Sequence, residues 1–85
     1  MKIEHKVEIA DPEFMLLVEI NERVKLALSR INEHKKIRIA DLESLKIDKN
    51  SIYSLTTELS SNRKRMAINL TNKIEYIVGT QEKSD

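Results

Sequence analysis

Apolar residues recur at intervals of three and four along residues 12–34, a spacing that places them on one face of an α-helix. Asp11, Pro12 and Glu13 stand just before this stripe. Asp11 is a favourable N-cap, Pro12 suits the first helical position, and Glu13 places a negative charge at the positive end of the helix dipole. We therefore predict a long first helix from about Pro12 to His34. Its stripe consists of Leu16, Leu17, Ile20, Val24, Ala27, Leu28 and Ile31.

Four further apolar residues of this helix lie off the main stripe: Phe14, Met15, Val18 and Leu26. A helix that is apolar on more than one side is commonly buried between two layers. A second subunit is a natural second layer for a chain of this size, which buries only roughly 60–65% of its unfolded surface. We predict a homodimer built on the first helix. The alternative is a core helix in a monomer with a few exposed apolar side chains. The predicted interface residues are Phe14, Leu17, Val18, Val24 and Leu28.

Shorter segments complete the pattern. Residues 1–10 alternate and predict a strand or an extended arm, and residues 36–40 alternate Ile37 with Ile39 and predict a brief strand. Residues 40–47 predict a short helix, and residues 48–61 predict another that starts at Asp48 as its N-cap. Residues 80–85 are polar and predict a flexible tail.

Residues 65–79 carry two patterns at once. The helical spacing is that of Met66, Leu70, Ile74 and Ile77. The alternation, which is typical of two strands, pairs Ile68 with Met66 and Leu70, and Tyr76 with Ile74 and Val78. The preceding polar run, Ser-Ser-Asn-Arg-Lys-Arg, interrupts the helical stripe, and the segment is rich in residues that favour strands. The sequence therefore favours a hairpin over residues 65–79, and a helix is the alternative.

Composition narrows the candidate functions. The chain has 85 residues with 15 basic and 14 acidic side chains, so a nucleic-acid role must depend on local charge. It has no cysteine, one glycine, and only His5 and His34 as histidines, without a second ligand at helical spacing. This argues against a metal site, a phosphate-binding loop and enzymatic activity. We expect no cofactor, no catalytic residue and no small-molecule substrate. No apolar run reaches the roughly 18–20 residues of a membrane span, so we expect no membrane association and a cytoplasmic protein.

A group of apolar positions in the middle of the chain has the spacing of a helix-turn-helix unit. Leu42 and Leu45 belong to its first helix, Ile47 to its turn, and Ile52 and Leu55 to its second helix. With the flanking elements, residues 36–79 resemble the winged helix-turn-helix superfamily. The resemblance implies an α+β fold over residues 11–79, with a long N-terminal helix and a three-stranded antiparallel wing sheet.

The resemblance implies a sequence-specific protein that binds double-stranded DNA, either a transcriptional repressor or a centromere-binding partition factor of plasmids or phages. The helix 48–61 would read the major groove and the wing 65–79 would contact the backbone, because hydroxyls, amides and basic groups suit base edges and phosphates. The predicted DNA contacts are Lys49, Asn50, Ser51, Tyr53, Ser54, Thr57, Ser61, Arg63, Lys64, Arg65 and Lys73.

A second function fits the helical interpretation of residues 65–79. The chain would then be a helical protein–protein interaction module or adaptor, of phage or plasmid type, that forms a bundle dimer. Its first helix would supply a coiled-coil seam with Asn21 as a register device.

Overall fold

The computed structural model describes residues 11–83, which form three α-helices: α1 (Pro12–Asn32), α2 (Ile39–Leu55) and α3 (Ser61–Lys83). A short 3₁₀-helix, Thr56–Glu58, joins α2 to α3. Of this described part of the chain, 88% is helical and none is strand. The winged-helix prediction is therefore wrong.

The three helices run up, down and up. At the start of α1, the Asp11 carboxylate forms an ion pair with Arg63, near the start of α3, so α1 and α3 are parallel. Along α2 and α3 the ion pairs run in opposite chain order, Lys46 with Glu82 and Lys49 with Glu75. The helix α2 is therefore antiparallel to its neighbours.

The predicted start of the first helix is confirmed. The Asp11 carboxylate accepts a hydrogen bond from the Phe14 backbone N–H at 3.2 Å, and Pro12 occupies the first turn. That hydrogen bond, together with the Arg63 guanidinium, holds the pKa of Asp11 below its ordinary value. A lowered pKa means that the cap stabilises the fold above the ordinary aspartate range and is lost as acid protonates the carboxylate.

The helix α1 ends at Asn32, two residues before the predicted end, in a Schellman turn. His34 N–H donates to the Ile31 carbonyl at 3.0 Å, and Lys35 N–H donates to the Arg30 carbonyl at 2.8 Å. This geometry places His34 at φ 59°, in the left-handed region that glycine adopts most easily. The turn thus reverses the chain at the cost of some backbone strain.

The core forms where the apolar stripes of the three helices pack together. One residue from each connecting segment, Ile37 and Leu59, completes it. Leu17, Ile20 and Val24 of α1 are fully buried, and so is Ile52 of α2. The other core residues are Ala27, Ile37, Leu45, Leu59, Ala67, Leu70, Ile74 and Ile77. The helical spacing of these residues explains why all three segments are helices.

The predicted hairpin over residues 65–79 is instead the middle of α3, and its helical stripe decides the outcome. Leu70, Ile74 and Ile77 are buried in the core, and each contributes about 1.5–3 kcal/mol by leaving water. The unfavourable helix propensity of β-branched residues and asparagine is at most about 0.7 kcal/mol each. Burial therefore outweighs propensity. The polar run over residues 60–65 does not interrupt the apolar stripe of α3, because it forms the start of this helix. There the Lys64 N–H donates to the Ser60 carbonyl at 2.8 Å.

The predicted helix-turn-helix is also wrong, because residues 39–55 form one continuous helix. Ile47, the predicted anchor of the turn, is 65% exposed. Asp48, the predicted N-cap, lies in the middle of α2 with 9% of its surface exposed. The helix 48–61 therefore does not exist as a separate recognition element.

The remaining predicted segments have mixed outcomes. Residues 36–38 are an irregular connection and residues 39–40 open α2, so the brief strand over 36–40 is not formed. Helix α3 continues to Lys83, so most of the predicted tail is helical. The predicted strand or arm over residues 1–10 lies outside the described residues, as do residues 84 and 85.

Candidate interaction surfaces

Three of the five predicted DNA contacts in the second half of α2 have polar partners within the bundle. The Lys49 ammonium lies 3.5 Å from the Glu75 carboxylate, and the Tyr53 hydroxyl donates to the same carboxylate at 3.2 Å. The Ser54 hydroxyl donates to the Asn50 carbonyl at 3.1 Å, a bond within the helix. Of the other two residues, Ser51 is half-buried and the Asn50 side chain is exposed.

The other predicted DNA contacts are spread over α3 and the turn before it. Arg63 forms an ion pair with Asp11, and its guanidinium lies 5.2 Å from the centre of the Phe14 ring. Lys73 is on the body of α3 and not on a hairpin tip. Thr57, Ser61 and Arg65 are exposed, and Lys64 is half-buried. Among residues 11–83, no recognition helix and wing bring these side chains together, so DNA binding stays a prediction.

The predicted dimer interface on α1 lies mostly inside the bundle. Leu17 and Val24 have no exposed surface. Val18 and Leu28 are half-buried, and Leu28 packs against the core. Phe14 is more exposed but has the Arg63 guanidinium over its ring. The two fully buried residues can meet a partner only if the bundle opens, and a dimer interface through this set stays a prediction.

Between α1 and α2 lies a partly buried charge pair. The Arg23 Nε and Nη2 atoms donate to the two carboxylate oxygens of Asp48 at 2.9 and 3.0 Å. The Asp48 side chain is 12% exposed and the Arg23 side chain is 42% exposed. The hydrogen bonds that Arg23 donates to Asp48 raise the pKa of Arg23 above its ordinary value. This bidentate pair fixes the relative position of α1 and α2.

Beyond this pair, α1 and α2 diverge around an open groove of about 230 Å³. Its floor is apolar and is formed by Ala27, Ile37 and Leu45, which are all buried. Leu26 forms one wall and is 69% exposed. Three arginines, Arg23, Arg30 and Arg38, line the groove as well, and Asp41 and Ser44 complete its lining. We call this feature the arginine groove.

The outward face of α3 carries a second apolar surface. Ile68 and Tyr76 are eight residues apart in the chain, with Asn72 midway between them, so the three form one row along the helix. Ile68 is 51% exposed and Tyr76 is 56% exposed. We call these three residues the α3 row. It lies opposite the buried stripe of the same helix.

Sequence reasoning missed both surfaces, for identifiable reasons. Leu26 was recognisable as an apolar residue off the main stripe of α1, but nothing in the sequence links it to Arg38. Ile68 alternates with Met66 and Leu70, and Tyr76 alternates with Ile74 and Val78, and such alternation predicts strands. Only the packing of the helices shows which side of α3 faces outward.

Other kinds of site lack support in the described part of the chain. No group of three or more histidine, aspartate or glutamate side chains between residues 11 and 83 could hold a metal ion. None of the three helices is long and apolar enough to cross a membrane.

Comparison of the chain with protein-family models, with curated proteins and with solved structures found no match.

Proposed function

We propose that this chain is a helical protein–protein interaction module that pairs with a second copy of itself through the α3 row. The observation that carries the proposal is the row itself: two large apolar side chains, half exposed, on the outward face of the longest helix. Tyrosine is enriched at protein interfaces because it combines a large apolar area with a polar tip. Asparagine between apolar residues is a known device for setting helix register.

The spacing of the row favours a second copy as the partner. Ile68 and Tyr76 each lie four residues from Asn72. A two-fold axis passing beside Asn72 would run the two α3 helices antiparallel and place Ile68 of one copy against Tyr76 of the other. Such an isologous contact is self-complementary, as a two-fold dimer requires. The two Asn72 amides would meet at the axis, where each can donate to and accept from the other.

The strength of this contact is limited by its area. A standard interface buries about 800 Å² on each partner, and one row on one helix covers less than that. We therefore expect a dimer that dissociates on dilution. A reversible dimer of this kind suits an adaptor that exchanges partners.

Sedimentation equilibrium of the full chain over a wide concentration range tests the proposal. The wild type should pass from dimer to monomer on dilution, and Ile68→Glu and Tyr76→Glu should remain monomeric throughout. The matched control is Ile47→Glu, which changes an exposed isoleucine of α2 and should leave the dimer intact. A wild type that is monomeric at every concentration would refute the proposal, and so would an equal loss of dimer in the control.

The DNA-binding prediction can be separated from this proposal by a mobility-shift assay. Binding through basic side chains should weaken steeply with salt, since each phosphate contact releases counterions. The absence of any shift at low salt would end the DNA hypothesis and leave the α3 row unaffected.

A further inference from the structure

The arginine groove has the size of a site for a side chain. Small-molecule sites typically measure about 300–1,000 Å³. The groove, at about 230 Å³, is smaller and is open to solvent. Its floor, formed by Ala27, Ile37 and Leu45, is apolar. The groove can hold one apolar side chain of an occupant that continues across the surface.

The positive charge of the groove is only partly neutralised within the chain. Arg23 is bonded to Asp48, and Arg38 is bonded to Asp41 at 3.1 Å and 3.4 Å. Arg30 has no acidic partner among residues 11–83; its Nε donates to the Lys36 carbonyl at 3.1 Å. This hydrogen bond orients the guanidinium and leaves its terminal nitrogens available. The groove therefore presents an apolar floor beside a positioned positive charge that has no acidic partner within residues 11–83.

Leu26, which forms one wall of the groove, adds apolar surface that the bundle does not use. Its side chain is 69% exposed. An occupant with apolar and acidic groups would cover Leu26 and neutralise Arg30 at the same time.

We propose that the arginine groove binds an acidic peptide segment of a partner protein. One apolar side chain of the segment rests on Ala27, Ile37 and Leu45, against Leu26. A carboxylate beside it accepts hydrogen bonds from the terminal nitrogens of Arg30, a geometry in which arginine binds carboxylates strongly. The proposal does not depend on the α3 row, which belongs to a different face of the bundle.

Fluorescence anisotropy with the full chain tests the proposal. The probe is a short fluorescein-labelled peptide in which leucine and phenylalanine alternate with glutamate. Two matched peptides replace either the apolar residues by serine or the glutamates by lysine. We expect saturable binding of the first peptide only, because the groove requires both an apolar anchor and a negative charge.

Two variants and one control locate the binding. Arg30→Glu and Leu26→Glu should each weaken binding about tenfold or more, since each removes one half of the recognition and repels the acidic peptide. Arg65→Glu makes the same charge change at an exposed position of α3 and should change affinity less than about twofold once salt screens distant charges. Circular dichroism confirms that each variant is folded.

Amide chemical shifts give an independent measurement. Titration of the wild type with the peptide should move signals mainly in residues 23–30 and 37–45. The proposal is overturned if the serine peptide binds as tightly, if Arg65→Glu weakens binding as much as Arg30→Glu, or if the shifts lie mainly elsewhere.

Discussion

The helix α2 packs against α1 on one side and against α3 on the other, and the polar contacts along these two seams differ. The α2–α3 seam is covered by exposed contacts: Lys46 with Glu82, and Lys49 and Tyr53 with Glu75. The α1–α2 seam has one bidentate pair, Arg23 with Asp48, whose carboxylate is nearly buried. Beyond that pair the seam opens into the arginine groove.

The difference shows how a small bundle can keep an open groove without losing its core. Exposed ion pairs contribute little to stability, with a median near 0–1 kcal/mol, but they cover the α2–α3 seam. The partly buried pair joins α1 to α2 at one point, and the seam beside it is open. The two seams therefore differ in their charge pairs, while the apolar core is common to both. Four substitutions test this division.

The largest effect is expected from Ile52→Ala, because Ile52 belongs to the core that both seams share. Its side chain is fully buried, so truncation should lower the free energy of unfolding by about 2–5 kcal/mol. Ile47→Ala, on the exposed face of the same helix, should change it by less than about 0.5 kcal/mol. Urea denaturation measures both, and similar losses would contradict the division between core and surface.

The second effect concerns the charge pair of the α1–α2 seam. Arg23→Ala leaves the nearly buried carboxylate of Asp48 without its two hydrogen bonds, so we expect a loss of about 1–3 kcal/mol. The control is Lys25→Ala, which removes a pair with Glu22 that is more than 60% exposed on both sides. That change should cost less than about 0.5 kcal/mol. An equally small loss in both variants would mean that the buried pair does not join the helices.

The third effect is a gain in stability at the turn that connects α1 to α2. His34→Gly relieves a left-handed residue at φ 59° and should raise the free energy of unfolding by about 0.5–1 kcal/mol. Lys35→Gly is the control, since its φ is not positive and the added freedom should only destabilise. Thermal unfolding measures the difference. A loss of stability in His34→Gly would show that the imidazole itself is required.

The smallest effect is expected on the α2–α3 seam. Glu75→Gln removes the ion pair with Lys49 but keeps an acceptor for the Tyr53 hydroxyl. The loss should be about 0.2–1 kcal/mol and should shrink further as salt is added. A loss as large as that of Arg23→Ala, insensitive to salt, would contradict the contrast between the seams.

The first helix could be predicted because all its signals are local. Asp11, Pro12 and Glu13 define its start, and the apolar residues after them have the spacing of a helix and not the alternation of a strand. The other two helices carry signals with two meanings. Asp48 has the chemistry of an N-cap, but it lies in the interior of α2, where Arg23, 25 positions earlier, donates hydrogen bonds to its carboxylate. Ile68 and Tyr76 fit a strand as well as they fit the outer face of a helix.

The candidate surfaces were less predictable than the helices. The sequence identified Leu26 as an apolar residue without a place in the core of α1, and it identified Lys49, Tyr53 and Arg63 as polar residues suited to binding. In the structure the last three have partners within the chain, and Leu26 borders a groove. The sequence does not show which candidate side chains already form contacts with other residues of the same chain.

By itself the sequence determined the first helix, its N-cap and the apolar stripes that supply the core. Tertiary structure alone decided that residues 39–55 are one helix and that residues 61–83 are another. The reason is energetic: local preferences differ by less than about 1 kcal/mol per residue, whereas each large side chain buried against the other helices contributes about 1.5–3 kcal/mol. The same packing decided which apolar residues stayed outside, and these form the α3 row and the exposed wall of the arginine groove.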